Sequence, residues 1–416
     1  MNAPLRNWAG NIVFNARTVA RPETEAELIG AVRAASKVRV LGCGHSFSPI
    51  ADTDDTLISL QSLERRIEID AEARTVTVDG GATYADVAPA LHAAGFALAN
   101  VASLPNITLA GAIVTATHGS GDGNQNLAAA VAGFRLVTAS GDVLTFRRGD
   151  ADFDGAVVNL GALGIMSELT LDIVPSFDIR QNVYLDLALP AAIANFDSLM
   201  ARAYSVSLFT RWQSDVIDQI WVKDVAGRSE PATDILGARG ATGACHPIPG
   251  LDGSVCTGQM GIAGPWHERL FHFSIGNTAS AGAELQTELF VARTDAPAAI
   301  GVLRAVQEQF APALLISEIR SVARDSLWLS SAYGQDSIGF HFTWRPEWER
   351  TIAAVKVVEA ALEPFSPRPH WAKVSTLSGK TVQGRYERID DFRKLANRLD
   401  PDGKFRNRFV TELLFD

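Results

Sequence analysis

The residue types best suited to chemistry fall into two groups. The first centres on His45 in Val40-Leu41-Gly42-Cys43-Gly44-His45-Ser46-Phe47, where a strand-like run enters a turn with two glycines. Glycine tolerates backbone angles that other residues resist, and its bare surface lets a phosphate reach the amide N–H groups. A histidine at the lip of such a loop is either a hydrogen-bonding group or a nucleophile aimed at what the loop holds. The second group lies far along the chain. Strand alternation in Ile316-Ser317-Glu318-Ile319-Arg320 puts Glu318 and Arg320 on one face, and Phe340-His341-Phe342-Thr343-Trp344 does the same for His341 and Thr343. Lys373 follows Trp371 with the same period of two. Polar and charged groups on otherwise apolar strands are costly unless paired or used. They form either a buried ion-pair network, Glu318 with Arg320 or Lys373, or a pocket for a polar substrate; these residues alone leave both open.

The elements that must position these groups divide the chain. Thr24-Glu25-Ala26-Glu27 is a capping box ahead of a helix with Leu28, Ile29 and Val32 at helical spacing. A strand from Lys37 leads into the glycine turn, and Thr56 opens another. Ile67-Glu68-Ile69-Asp70 with Thr75-Val76-Thr77-Val78 reads as a hairpin, as do Leu136-Val137-Thr138-Ala139 and Val143-Leu144-Thr145-Phe146 around Ser140-Gly141-Asp142. A helix is expected over 83–94, with Gly95 as its stop. This first α+β domain closes at Pro175. Beyond it, aromatic runs such as Val206-Ser207-Leu208-Phe209-Thr210 and Gln219-Ile220-Trp221-Val222 alternate with helical stretches such as 298–310, which Pro297 precedes. The Gly/Pro-rich segment 237–265 is too long for a tight connection and has the character of a loop that lines a site.

Composition narrows the functional classes. Of 416 residues, 47% are apolar and 20% charged, the balance of a globular protein large enough for two domains. A net charge of −10 without a Lys/Arg cluster argues against nucleic-acid and membrane partners. The N-terminal residues lack the apolar core of a signal peptide, which points to the cytoplasm. Cys43, Cys245 and Cys256 have no metal-ligand spacing, and free thiols are expected rather than a Cys245–Cys256 bridge.

The dinucleotide fingerprint needs glycine at its first, third and sixth positions, then a helix. Gly42 and Gly44 fit, but Phe47 takes the sixth place and Ser48-Pro49 blocks the helix. A second small-residue region runs Ala102-Ser103-Leu104-Pro105-Asn106-Ile107-Thr108-Leu109-Ala110-Gly111-Ala112-Ile113-Val114-Thr115-Ala116-Thr117-His118-Gly119. Its amides and hydroxyls suit a diphosphate and a flat ring laid against backbone, and equally suit close packing of two sheets. Gly161-Ala162-Leu163-Gly164-Ile165 adds a third such approach.

Taken in order, Gly42-Cys43-Gly44-His45-Ser46, Ala102-Ser103, Gly111, Thr117-His118-Gly119, Gly161-Ala162-Leu163-Gly164-Ile165 and Asp400-Pro401 resemble the vanillyl-alcohol oxidase flavoprotein family. Asn7-Trp8-Ala9-Gly10-Asn11 and Pro369-His370-Trp371-Ala372-Lys373 narrow the resemblance to its alditol oxidases, with sugar-lactone oxidases as cousins. The resemblance spans nearly the whole chain. It implies an α+β fold of two domains: a PCMH-type FAD-binding domain over 1–175, onto which 371–416 docks back, and an antiparallel-sheet substrate or cap domain over 176–370. It implies an oxidase that passes a hydride from the terminal carbon of xylitol or sorbitol to FAD, with O2 reduced to H2O2; a monomer is expected.

The resemblance also assigns residues. His45 matches the position that links covalently to FAD, with Cys43 at a variable place and so a single bond. Val40, Leu41, Gly42, Cys43, Gly44, Ser46, Ser103, Thr108, Gly111, Ala112, Val114, Thr115, Thr117, His118, Gly164, Ile165 and His370 would hold the cofactor. Glu318, Arg320, His341, Thr343, Lys373 and Ser103 would surround the polyol, with Arg320 and Lys373 (and Glu318 beside them) assigned to catalysis. Ala372 stands where the close pattern often has glycine. The segment 237–265 and Pro265-Trp266-His267-Glu268-Arg269 would cover the pocket.

Overall fold

A computed structural model describes residues 4–228, 231–277 and 283–416; the first three residues of the N-terminal stretch lie outside it. The chain opens with a small parallel sheet in the order Thr18–Ala20, Thr56–Ser59, Val38–Leu41. Helix Glu25–Ala34 makes the crossover that parallel strands require. Thr24 caps it by accepting the Glu27 N–H at 3.2 Å, while the Glu27 carboxylate takes the Glu23 N–H at 2.8 Å, one residue earlier than in a closed capping box. A five-stranded antiparallel sheet follows, ordered Ile67–Asp70, Thr75–Asp79, Ile165–Asp172, Val131–Val137, Val143–Arg147. Both hairpins expected from alternation are present. Helix Tyr84–Ala93 has a complete capping box between Thr83 and Asp86, and Gly95 ends it at φ +82°.

Among the described residues, ten strands from Asp178 onward form one antiparallel sheet. Its middle runs Asp178–Ala188, Val216–Val225, Ser205–Thr210, Leu314–Val322, Ser337–Trp344, Leu285–Ala292. Period-two alternation gives this sheet two unlike faces. One face carries Leu208, Ile319, Phe340, Phe342 and Leu289, all fully or nearly fully buried, against Ile300, Leu303, Val355 and Val358 of helices Ala296–Phe310 and Trp348–Leu362. The other face carries one cross-strand row in register: Gln219, Phe209, Glu318, His341, Glu288. Apolar packing on the first face thus fixes the strand register that lines up polar groups on the second.

The C-terminal segment returns to the parallel sheet. Lys404 O accepts the Val38 N–H at 2.9 Å, and Asn407 Nδ2 donates to Pro49 O and Asp52 O at 2.9 and 2.8 Å. The fully buried Asp400 carboxylate shapes this turn by accepting from Lys404 N and Phe405 N. All three cysteines are free thiols. Among the described residues no helix is long and apolar enough to cross a membrane.

Arg39 locks these pieces together. Its buried guanidinium donates to Ile50 O (2.8 Å), Gly161 O (3.0 Å), Phe405 O (2.6 Å) and Leu160 O (2.6 Å), and burial lowers its pKa to about 10. Replacing Arg39 with Met orphans these carbonyls, each at about 1–3 kcal/mol. The urea midpoint of R39M is expected to fall by the equivalent of at least about 3 kcal/mol; an unchanged midpoint contradicts the assignment.

Candidate active site

The glycine turn after Val38–Leu41 is held from both sides. Gly44 sits at φ +72°, which a side chain would strain, and its carbonyl accepts the Trp8 N–H at 2.8 Å. Asn7 Nδ2 donates to Ser46 O at 2.9 Å. Phe47 N donates to Ala372 O at 2.7 Å and Ser48 Oγ to Trp371 O at 2.9 Å, so the His45 loop is bonded directly to the turn that carries Lys373. A Cβ on Gly42 or Gly111 would stand 2.5 or 2.7 Å from Thr108 Oγ1, which explains glycine at both places. These loops line one continuous cleft that runs on to the polar face of the large sheet. Arg39, the basic residue beside the loop, spends its N–H groups on carbonyls. A phosphate here would therefore meet amides rather than a basic side chain.

His45 is buried against Trp8, with ring centroids 4.6 Å apart, and edge-on to Phe47 at 5.7 Å. Burial, reinforced by the positive charge of Lys373, lowers its pKa to about 4. The imidazole is neutral at any ordinary working pH, the form in which a ring nitrogen has a free electron pair.

At the far end the polar row is an ion-pair network. Glu288, fully buried, accepts from Lys373 Nζ at 2.6 Å, His118 Nε2 at 3.0 Å and Arg320 Nη2 at 3.2 Å. Burial alone would raise its pKa, but Lys373, His118 and Arg320 together hold it well below the usual carboxylate range. Glu318 lies 2.8 Å from His272 Nε2 and 3.5 Å from Arg320 Nε, and its pKa is likewise held down against burial, first by Arg320 and then by His272. Arg320 Nη1 also donates to Ser103 Oγ at 3.1 Å. Burial lowers the pKa of Lys373, which Glu288 opposes. His341 falls to about 4 through burial and then Lys373. His370 accepts the Ala372 N–H on Nδ1 at 3.1 Å, so its neutral ring carries the proton on Nε2. His118 has a partner on each side, Gly119 O at 2.8 Å and Glu288 at 3.0 Å; burial lowers its pKa against the pull of Glu288.

Every residue that the resemblance assigns to cofactor or polyol lines this cleft: Val40 through Ser46, Ser103, Thr108, Gly111, Ala112, Val114, Thr115, Thr117, His118, Gly164, Ile165, Glu318, Arg320, His341, Thr343, His370 and Lys373. Three details differ from expectation. Lys373 sits on a turn, where its N–H bonds His370 O at 3.1 Å, rather than on a strand. Its carboxylate partner is Glu288, not Glu318. The 265–269 segment does not line the cleft; Trp266 is fully buried and donates to Phe96 O at 3.1 Å. His246, Pro247 and Ile248 of the long loop do line it, with His272 and Phe273 beyond. Glu288 and His272 escaped the sequence reading. The alternation of Glu284, Gln286 and Glu288 with Leu285, Thr287 and Leu289 was the available signal for the first.

Comparison with known proteins identifies the class. Residues 16–147 match the FAD binding domain family, and residues 287–413 the D-arabinono-1,4-lactone oxidase family. The fold is shared with a cholesterol oxidase from B. sterolicum (TM-score 0.79, 15% identity, 99% of this chain and 96% of that one) and a solvent-stable cholesterol oxidase (TM-score 0.81, 15% identity, 99% and 97%). The protein is an FAD-dependent oxidoreductase. An alditol oxidase from Streptomyces sp. is 44% identical over the full length of both chains, and an L-gulono-1,4-lactone dehydrogenase from Mycobacterium tuberculosis is 30% identical over 98% of each. The chain belongs to the vanillyl-alcohol oxidase flavoprotein family, in the group of the alditol oxidases and their sugar-lactone relatives.

Glu288→Gln removes the charge that holds the Lys373 proton in place. Because Glu288 raises the Lys373 pKa against burial, the variant lowers it. Whichever form of Lys373 is active, the limb of the pH–kcat/KM profile that reports it should move acidward by about one unit or more. A shift to higher pH, or none, would break the link between the two groups.

Proposed function

We propose that the protein oxidises the terminal primary alcohol of a linear polyol, xylitol or sorbitol, to the aldose, with FAD linked covalently through His45 and O2 as acceptor. The observation that carries this reading is the placement of Glu288, Glu318, Arg320, His341, Thr343 and Lys373 at one end of the cleft whose glycine-lined part holds a neutral, buried His45. The residues fit FAD. Gly42 and Gly111 are bare where a Cβ would strike Thr108, and residues of the segments 42–46, 108–118 and 161–165 bring backbone to the wall of the cleft, where a diphosphate could lie. Among the described residues, His341 Nε2 is buried without a hydrogen-bond partner, as a group reserved for a ligand would be.

FAD, when bound, supplies the two-electron acceptor for the hydride leaving the substrate carbon and returns the electrons to O2, so that RCH2OH and O2 give RCHO and H2O2. The protein's part is to bind, orient and move a proton. Glu318, His341, Thr343 and Ser103 offer acceptors and donors at fixed points to successive hydroxyls. Lys373, drawn toward its neutral form by burial, takes the hydroxyl proton at Nζ. Arg320, held between two carboxylates, is a fixed positive charge that stabilises the alkoxide left behind. His45, kept neutral, has the electron pair needed to bond an electron-poor carbon of the cofactor.

A second reading, oxidation of aldonolactones, is favoured by the match of residues 287–413 to a lactone oxidase family. Steady-state kcat/KM for xylitol and sorbitol should exceed that for aldonolactones; activity confined to lactones overturns the polyol reading. His45→Ala should leave an acid-precipitated pellet colourless where the wild-type pellet is yellow. Lys373→Ala should cut kcat by about 10²–10⁴-fold, the range of positioned acid–base groups. A near-normal rate would remove Lys373 from the chemistry.

A further inference from the structure

Lys223 is a buried cation that the chemistry above leaves unused. It sits in the middle of strand Val216–Val225, 1% exposed, on the face that also carries Gln219 and Trp221. An ammonium in such a place is costly unless all three N–H groups find acceptors. They do: Leu270 O lies at 2.5 Å, Phe271 O at 2.8 Å and His272 Nδ1 at 3.4 Å. The other nitrogen of the same imidazole, Nε2, is 2.8 Å from Glu318 Oε1. The His272 ring packs against Trp221, tilted by 40°, and edge-on to Phe209, with centroids at 5.2 and 5.9 Å.

We propose that Lys223 and His272 form a positioning pair that holds Glu318 in its substrate-binding orientation by keeping a proton on His272 Nε2. The logic is one of tautomers. With an ammonium donating to Nδ1, the neutral ring must carry its hydrogen on Nε2, which then donates to the carboxylate. If the proton moves from Lys223 to the ring, Nδ1–H donates to the neutral amine and Nε2–H still points at Glu318. Only loss of the proton from the pair as a whole frees the ring to turn its lone pair toward the carboxylate. The groups facing the pair set that point. Burial lowers the Lys223 pKa to about 7, Glu318 and Cys256 favour its charge, and Arg320 opposes it. For His272, burial is the largest influence and brings it to about 4, with Glu318 acting against Lys223 and Arg320. The lysine is therefore the member that holds the proton. The pair also anchors the covering segment, since Lys223 holds the Leu270 and Phe271 carbonyls while Gln219 Nε2 donates to His246 O at 2.8 Å.

This inference rests on the proposed role of Glu318, and its test has one arm that does not. Protein labelled with 15N-histidine, loaded with its flavin and free of substrate, should show a two-bond N–H pattern for His272 with the hydrogen on Nε2; His272→Asn assigns the signal. A hydrogen on Nδ1 alone overturns the pair, whatever the substrate proves to be. The kinetic arm uses Lys223→Met. With the flavin absorbance unchanged, kcat/KM for sorbitol should fall about ten- to a hundredfold, mainly through KM, the equivalent of one hydrogen bond to a charged group. In a His272→Phe background the same substitution should change kcat/KM less than about twofold, because the two residues act as one unit. Equal losses in both backgrounds, or no loss in either, would overturn the coupling. Should K223M not fold, the wild-type tautomer alone decides the proposal. A wild type that oxidises no polyol defeats the substrate reading and leaves the tautomer measurement intact.

Discussion

Burial of two carboxylates, Glu288 and Glu318, is the constraint to which the surrounding structure answers. An uncompensated buried charge costs several kcal/mol, so each acid must be met by cations or N–H donors that no single element can supply. Arg320 comes from the strand Leu314–Val322, Lys373 from a turn after Arg368–Pro369, His272 from the covering segment and His118 from the small-residue region near the N-terminal sheets. The two carboxylates therefore gather four separate parts of the chain at one point. The turn carrying Lys373 is in turn bonded through Trp371 O and Ala372 O to Ser48 and Phe47, beside His45. Electrostatic satisfaction at the charged end of the cleft and backbone placement at its glycine-lined end are consequently one problem with one solution.

The sheet makes the row possible because of what lies on its other side. Leu208, Ile319, Phe340, Phe342 and Trp344 are buried against two helices, and slipping any of these strands by one residue would turn that apolar set outward. The apolar face thus fixes which residues of the polar face stand opposite one another. Gly339 illustrates the precision required. It faces Arg320 and Phe290 in register, and a Cβ there would lie 3.1 Å from Glu288 Oε1 and 3.0 Å from the Phe290 ring. A methyl group would crowd the carboxylate on which Lys373 and Arg320 converge.

Alternation within a strand is local, and what it says of Glu318 with Arg320 and of His341 with Thr343 could be read from the sequence. So could the glycine turn at 42–44, whose bare positions follow from a local backbone demand. Pairing across strands is not local. Nothing in Ile316-Ser317-Glu318-Ile319-Arg320 says that Glu318 will stand beside His341, or that Glu288 will complete the row from a strand that precedes both. Lys373 shows the converse limit: a period of two was read as a strand where Phe47 and Ser48 had claimed the neighbouring carbonyls and made a turn. The segment 265–269 is expected to cover the pocket, with Trp266 as a packing residue in it; the indole packs in the core with its N–H satisfied by Phe96. The His272–Lys223 contact joins a loop to a strand 49 residues apart, a distance over which sequence spacing carries no information.

The protonation states explain why such a site suits hydroxyl groups. Beside the fixed charges of Arg320, Glu288 and Glu318 stand His341 and His370, whose pKa values burial drives down so far that they are neutral. A neutral imidazole offers one donor and one acceptor, and a hydroxyl also offers both, so the two match without adding charge to the pocket. Discrimination follows from the same fact. A substrate lacking a hydroxyl opposite His341 Nε2 leaves a buried polar atom unpaired, at about 1–3 kcal/mol. Such a failure is worth roughly a tenfold to hundredfold loss. On the polyol reading proposed above, selectivity for a run of hydroxyls at set spacing would arise from the cost of leaving this wall unsatisfied, and it would depend on the imidazoles staying uncharged while Glu288 and Glu318 keep their cations.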